Sequence, residues 1–292
     1  MRDTLPKLGF IGAGRVGTAL STALAVAGYP VVAVASRARA SADALVARLP
    51  AATVLDPQGV VDTCDLVLIT TPDAAIQDVA ASLRWREGVA VVHTSGVEWR
   101  EALAAAATQG TETASLHPLQ TFADLEYGAA NLSGSVFAIE AEGALRERLL
   151  AIVAALGGTP LELRAEDKAL YHASAAFASN YVVTLASLAT SLWARFGWEE
   201  GAALAALLPL MRGAVSNLEA LGLPAALTGP VARGDVATVQ RHLDALTTDQ
   251  AAFDIYRTLA HETVPVALAK GGLGEDAAAE LRALLRAEAV PK

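Results

Sequence analysis

The sequence is short of cysteine, of basic charge and of long apolar runs, and each shortage removes a class of protein. A single cysteine, Cys64, among 292 residues excludes an intramolecular disulfide and any cysteine-cluster metal site. The five histidines show neither HExxH nor paired spacing, so no metal is expected. A net charge of −9 argues against a nucleic-acid surface, which needs a basic stripe, although a local field can still welcome a small anion. No apolar run reaches the roughly 18 residues of a membrane span without a polar break. The opening residues MRDTLPKLGF lack the apolar core of a signal peptide. The expectation is a cytoplasmic chain that binds neither membrane nor nucleic acid.

What is present is a large core. Hydrophobic residues make up 53% of the chain and charged ones 18%, the balance of a compact globular protein. A chain of this length can bury roughly 75% of its unfolded surface and suits two domains. Continuous apolar runs at 7–11, 31–35, 66–70 and 89–93 read as strands covered on both faces. Further strands are expected at 113–117, 135–140 and near 160–163. Helical stretches at 15–27, 41–48 and 74–83 alternate with the first strands, the pattern of a doubly wound parallel α/β sheet. From about Glu166 helical pattern runs on alone, over 166–196, 199–220, 235–246, 249–269 and 275–288. Segment 166–196 is apolar around most of its circumference and is expected to be a buried central helix, partly covered by a second copy in a homodimer. Pro209, Pro224, Pro230 and Pro265 are expected to end or kink helices. The expected division is a dinucleotide-binding Rossmann domain over 1–163 and an all-α substrate and dimerisation domain over 164–292. Cys64, Trp193 and Trp198 are assigned to packing.

The strongest motif is FIGAGRVG. Gly12, Gly14 and Gly17 stand in GxGxxG spacing between a strand and a helix, with Ala13, Arg15 and Val16 completing the loop. Such glycines permit a tight turn, close approach of a pyrophosphate and close helix–strand packing, while the helix start attracts phosphate. In this strand–turn–helix context the motif predicts a dinucleotide site. An NAD binder places an acid about 20 residues on; here stand Ser36 and Arg37. Arg37 can pair with a 2′-phosphate, a charged hydrogen bond typically worth about 1.5–3 kcal/mol, so NADP is the expected cofactor. Thr70, Thr71 and Pro72 follow the fourth strand at the ligand-binding edge of the sheet, and Ser95 follows the fifth. His93 beside it is either part of that site or a satisfied strand end.

Three further polar groups draw notice. On the helix opening EDKALYHASAAFASNY, Lys168, His172 and Ser179 fall within about 40° of one another, with Asn180 further round and Tyr171 facing another way. Polar groups on an apolar helix need partners, which a polar substrate in a cleft would supply. His117, pinned by Pro118, ends the 113–117 strand. Arg233 in LTGPVARGD either grips a carboxylate or pairs with Asp235, which has the look of a helix N-cap.

With a Rossmann domain followed by a helical domain, the chain resembles the 6-phosphogluconate-dehydrogenase-like superfamily, which includes ketopantoate reductase, pyrroline-5-carboxylate reductase and prephenate dehydrogenase. SLHPLQTF, YHASAAFASNY and LTGPVARGDVATVQRHL resemble, within it, Rossmann-like proteins whose C-terminal half is a domain of unknown function. Catalytic roles are expected for His117, Lys168, His172 and Asn180, and the resemblance bears on the first two. The superfamily's catalytic lysine is matched by Lys168, but its asparagine four residues on is replaced by His172. His117-Pro118 is similar to the His-Pro pair of prephenate dehydrogenases, although LQTF is not their continuation. The expected function is reduction of a small carboxylate-bearing 2-oxo acid, ketopantoate being a candidate, with NADPH as hydride source and His117 or Lys168 as proton donor. Alternatives are an imino-acid reductase of the pyrroline-5-carboxylate type and a non-catalytic NADP sensor.

Overall fold

The computed structural model describes residues 5–123 and 129–286. By its internal contacts the chain forms two compact units, residues 1–180 and 181–292.

The first unit is built on an eight-stranded sheet. In chain order its elements are β1 (Leu8–Ile11), α1 (Arg15–Val26), β2 (Val31–Ala35), α2 (Arg39–Val46), β3 (Thr53–Val54), α3 (Pro57–Thr63), β4 (Leu66–Ile69), α4 (Asp73–Ser82), β5 (Ala90–His93), α5 (Ala104–Ala107), β6 (Glu112–Pro118), β7 (Val136–Glu140), α6 (Gly143–Ala155), β8 (Thr159–Glu162) and α7 (Lys168–Ala178). The strands lie in the order β3-β2-β1-β4-β5-β6-β7-β8, all parallel except for the β6–β7 pair. Strand order reverses beside β1 and β4, the place where such sheets open a crevice for ligands.

Period-two alternation sends each strand's side chains to two separate cores. Leu8, Phe10, Leu66, Leu68 and Val92 enter one; Ile11, Val67, Ile69 and Val91 enter the other. A Cβ on Gly9 would lie 2.5 Å from Val60 and 2.6 Å from the Cys64 sulfur, so α3 packs directly on β1. Cys64 is fully buried, and desolvation pushes its thiol up to about 11, in keeping with a packing role.

Four elements of this unit, β3, α3, the four-residue α5 and α6, have no counterpart in the sequence reading. β3 has only two residues, too few for any period. α3 opens with Asp56 accepting from the Gly59 amide at 2.7 Å and Pro57 at its first position, a cap-and-proline start. α6 buries Leu145, Leu149, Ile152 and Val153, a clear i, i+4, i+7, i+8 stripe.

The second unit comprises most of α8 (Asn180–Trp193), then α9 (Glu200–Leu221), α10 (Val236–Leu246), α11 (Gln250–Lys270) and α12 (Glu275–Arg286); residues 287–288 of the expected last helix lie outside the described residues. Its core joins Val239 and Leu243 of α10 to Phe253 and Val264 of α11 and Leu281 of α12. Asp235 and Asp249 cap α10 and α11 through the Thr238 and Ala252 amides. Pro209 and Pro265 lie inside α9 and α11 and do not end them. Trp193 meets Trp198 edge to face at 5.1 Å.

Segment 166–196 departs from expectation. It breaks at Ser179, whose φ of −126° and ψ of −70° leave the helical region. Of its residues only Lys168 and Thr190 are buried, so the apolar circumference is not core within one chain. Two stretches, Ala165–Phe196 and Glu200–Leu221, are long and apolar enough to cross a membrane by length and composition, with 6% of each apolar window buried. Both stretches are interrupted by polar residues such as Asn180 and Thr184 or Arg212 and Asn217, so the absence of an unbroken apolar run stands, and they qualify by length and average composition alone.

Candidate active site

The glycine loop is fixed from below. Gly12 has φ +120°, and a Cβ there would lie 2.6 Å from the Thr70 carbonyl. A Cβ on Gly17 would sit 2.2 Å from the Gly12 oxygen, so the start of α1 can approach β1 only with glycine there. The Thr70 hydroxyl donates to the Gly12 carbonyl at 2.7 Å, which makes Thr70 a clamp beneath the loop. By contrast, nothing lies within 4 Å of a Cβ built on Gly14, the N-cap of α1. The backbone there is open to an incoming group. Ala13 and Val16 are half-buried, and Arg15 is exposed.

Beyond β2, Ser36 is half-buried and Arg37 exposed, and no acid replaces them. Arg39 pairs with Asp43 at 2.9 Å. A small cavity of about 280 Å³ beside the loop is lined by Ala13, Thr18, Ser41 and Arg48 among others. After β4, the Thr71 hydroxyl is buried with no hydrogen-bond partner among the described residues, and Pro72 is exposed. An orphaned buried hydroxyl costs free energy unless a ligand satisfies it.

The sheet edge after β5 is knitted by its own side chains. His93 is fully buried. Its Nδ1 accepts from the Ser95 amide at 3.2 Å, so Nε2 carries the proton and donates to the Trp99 carbonyl at 3.0 Å. Burial drives this imidazole down to about 4, with the Lys168 charge adding to the effect. Ser95 turns inward, its hydroxyl accepting from the Val97 and Glu98 amides. Both residues hold the 94–100 loop.

Lys168 completes that arrangement. It is 2% exposed, and its ammonium donates to the Ser115 hydroxyl at 2.8 Å, to the Glu98 carbonyl, and to Glu140 at 3.1 Å. Its three donors are thereby engaged. Burial pulls its pKa down and the Glu140 carboxylate opposes the shift. Glu140 also accepts from the Arg100 amide. Register explains the meeting: His93 lies opposite Ser115, and Ser115 opposite Glu140.

Two residues along β6 from Ser115, on the same face, comes His117. Its Nδ1 meets the Tyr171 hydroxyl at 2.9 Å, with the rings edge to face at 5.6 Å. His172 lies 6.1 Å away, ring to ring. Gly96 is the floor of this pair, for a Cβ there would fall 2.8 Å from His117 Nε2 and 2.7 Å from His172 Cδ2. Burial, followed by repulsion from His172 and Lys168, lowers His117 to about 4, so the ring is neutral at pH 7. Burial raises Tyr171 to about 12.

Tyr171 is the residue that sequence reasoning missed. Placed three positions after Lys168, it lies only about 60° round the helix and does share the polar face. The break at Ser179, in turn, interrupts the helical register on which the placing of Ser179 and Asn180 depends.

His117, His172, Gln120, Ser179, Asn180 and Arg15 line a cleft of about 750 Å³. The structure thus brings Arg15 of the glycine loop to one cavity with both imidazoles and Asn180. Lys168 and Ser95 stand behind that wall. Arg233 is exposed in the second unit, just ahead of the capping Asp235.

The sheet, its glycine turn and the following helices define a Rossmann-like protein. Residues 1–118 match the Rossmann-like domain model, and residues 135–263 match the model of the domain of unknown function DUF2520. The two matches follow one another along the chain, the first over the glycine turn and the first six strands and the second over the last two strands and most of the helical part. Curated proteins yield no match. Among solved structures, a Thermotoga maritima protein is 24% identical, covering 90% of this chain and 99% of its own, with a TM-score of 0.73. A Bacteroides fragilis protein described as a candidate NADP oxidoreductase is 24% identical over 89% and 98%, with a TM-score of 0.71. The 1-pyrroline-5-carboxylate reductase of Streptococcus pyogenes is 15% identical over 89% and 99%, with a TM-score of 0.62. At such identities the likeness is one of fold.

Proposed function

We propose that the protein is an NADPH-dependent oxidoreductase that reduces the C=O bond of a small 2-oxo acid in this cleft. The observation that carries the reading is a single cavity lined by Arg15 of the glycine loop and by the imidazoles of His117 and His172. The loop fits a dinucleotide: Gly14 leaves the backbone open, and the Thr71 hydroxyl lacks a partner among the described residues. Gly12, Ala13, Gly14, Arg15, Val16 and Gly17 would hold the pyrophosphate at the helix start, and Ser36 and Arg37 the 2′-phosphate. The fold likeness to the Bacteroides fragilis protein supports the same cofactor.

The bound nicotinamide would supply hydride. His117, neutral at pH 7, presents an N–H to the oxygen that gains charge. His172, Gln120 and Asn180 orient the substrate's polar groups, and Arg15 supplies positive charge for its carboxylate. Lys168, committed to Glu140, acts from behind by holding the loop that carries Gly96. A second reading, reduction of a cyclic imine, is favoured by the likeness to pyrroline-5-carboxylate reductase. A homodimer is also proposed, supported by the exposed Tyr181, Val183, Leu210, Val215 and Leu221 of α8 and α9, since apolar patches of this kind mark association surfaces.

The test follows NADPH and NADH consumption against 2-oxo acids, ketopantoate included, and cyclic imines. The proposal expects NADPH-linked turnover of an oxo acid that falls about 10²–10⁴-fold in His117→Ala. Turnover of imines alone, indifferent to His117, would establish the second reading. Tight NADPH binding without turnover of any substrate would mark a binding protein.

A further inference from the structure

The cleft presents His117 as a neutral base-like ring, yet reduction of a carbonyl consumes a proton. A neutral imidazole carries one N–H, and after giving it away must be resupplied at its other nitrogen. Among the described residues, the group on that other nitrogen is Tyr171, with its hydroxyl 2.9 Å from Nδ1. A phenol O–H is a far stronger acid than a neutral imidazole N–H, which favours Tyr171 as the donor and Nδ1 as the acceptor. That assignment leaves the proton on Nε2, the nitrogen on the side of Gly96.

We propose that Tyr171 is a positioning residue for proton delivery: it fixes His117 in the Nε2–H tautomer and refills the ring through Nδ1 as Nε2–H is passed to the substrate. The inference rests on the reductase reading and deepens it. In the step, hydride from the dihydronicotinamide forms the new C–H bond, and the C=O π pair moves to oxygen. That oxygen takes the Nε2 proton, Nδ1 takes the Tyr171 hydroxyl proton, and the phenolate recovers a proton from water. The ring ends in the other neutral tautomer and exchanges back through solvent. The phenolate is transient because its burial disfavours the charge, while the alkoxide it replaces is more basic still. Tyr171 is well placed for this, because α7 also carries His172 against the same glycine and Lys168 into the loop below.

Two measurements test the proposal. In the ligand-free chain at neutral pH, nitrogen-15 shifts of the His117 ring should report a protonated Nε2 and a bare, hydrogen-bonded Nδ1; the Nδ1–H tautomer or an imidazolium would overturn the proposal whatever the enzyme's activity. In Tyr171→Phe that tautomer preference should relax, and kcat with the working oxo acid should fall at least tenfold with KM within twofold and a reduced solvent isotope effect. A Tyr171→Phe variant with undiminished kcat would overturn it. Absence of turnover in the unaltered protein would sink the reductase reading instead, leaving the ring measurement to judge Tyr171.

Discussion

His93 and His117 each have an ordinary pKa of 6.5 when unfolded and about 4 in the fold. A folded-state pKa below the unfolded one means that the unfolded chain binds protons first as pH drops. The stability held above pH 6.5 is therefore lost as pH falls towards 4. A pKa difference of one between the two states corresponds to about 1.4 kcal/mol, so His93, fully buried, withdraws a few kcal/mol over that window and half-buried His117 somewhat less. Urea midpoints measured from pH 7.5 to 4.5 should fall steadily, and His93→Gln should show a shallower decline. An equal slope in that variant would mean that other groups control the acid limb.

Among the elements, the loop 94–100 and α7 depend on one another through Lys168. Removing the lysine leaves Glu140 nearly buried without its cation. Breaking such a pair typically costs about 3–5 kcal/mol, whereas replacing both partners by apolar groups can be neutral. Chemical denaturation should therefore find Lys168→Met strongly destabilised and the Lys168→Met, Glu140→Leu double variant largely restored. If the double variant is as unstable as the single one, the ion pair is not what holds the loop. The strands, the glycine turn and the break in texture near Glu166 are plain in the sequence, because buried parallel strands are continuous apolar runs. β3 is hidden by its brevity, whereas α6 carries a visible stripe. His117 and His172 each stand out in the sequence, one at a strand end and the other on the polar face of its helix, but their meeting over Gly96 is set by tertiary packing. Lys168 is not readable as an inward-facing residue, because its partners Ser115 and Glu140 meet it through sheet register. Tyr171 is hidden when its helical angle is misjudged, whereas Ser95 is visible at the sheet edge but its local turn, which takes up the hydroxyl, is not.

At the scale of the whole molecule, α8 and α9 expose large apolar side chains such as Val183 and Leu210, and the proposed homodimer would cover them. Light scattering on the purified protein should give twice the mass of one chain, and Val183→Glu or Leu210→Glu should give half of that with secondary structure retained. A monomer in solution, or partition into lipid vesicles, would sink the homodimer. The position of the cleft carries another consequence. Every described residue lining it belongs to residues 1–180, so a polypeptide stopped at 163 forfeits the histidine and asparagine of its far wall, while one stopped at 180 keeps them. The cleft thus lies in the first stretch of the chain, whereas the exposed Val183, Leu210, Val215 and Leu221 on which the proposed homodimer rests lie in the second, so either can be altered while the other is left alone.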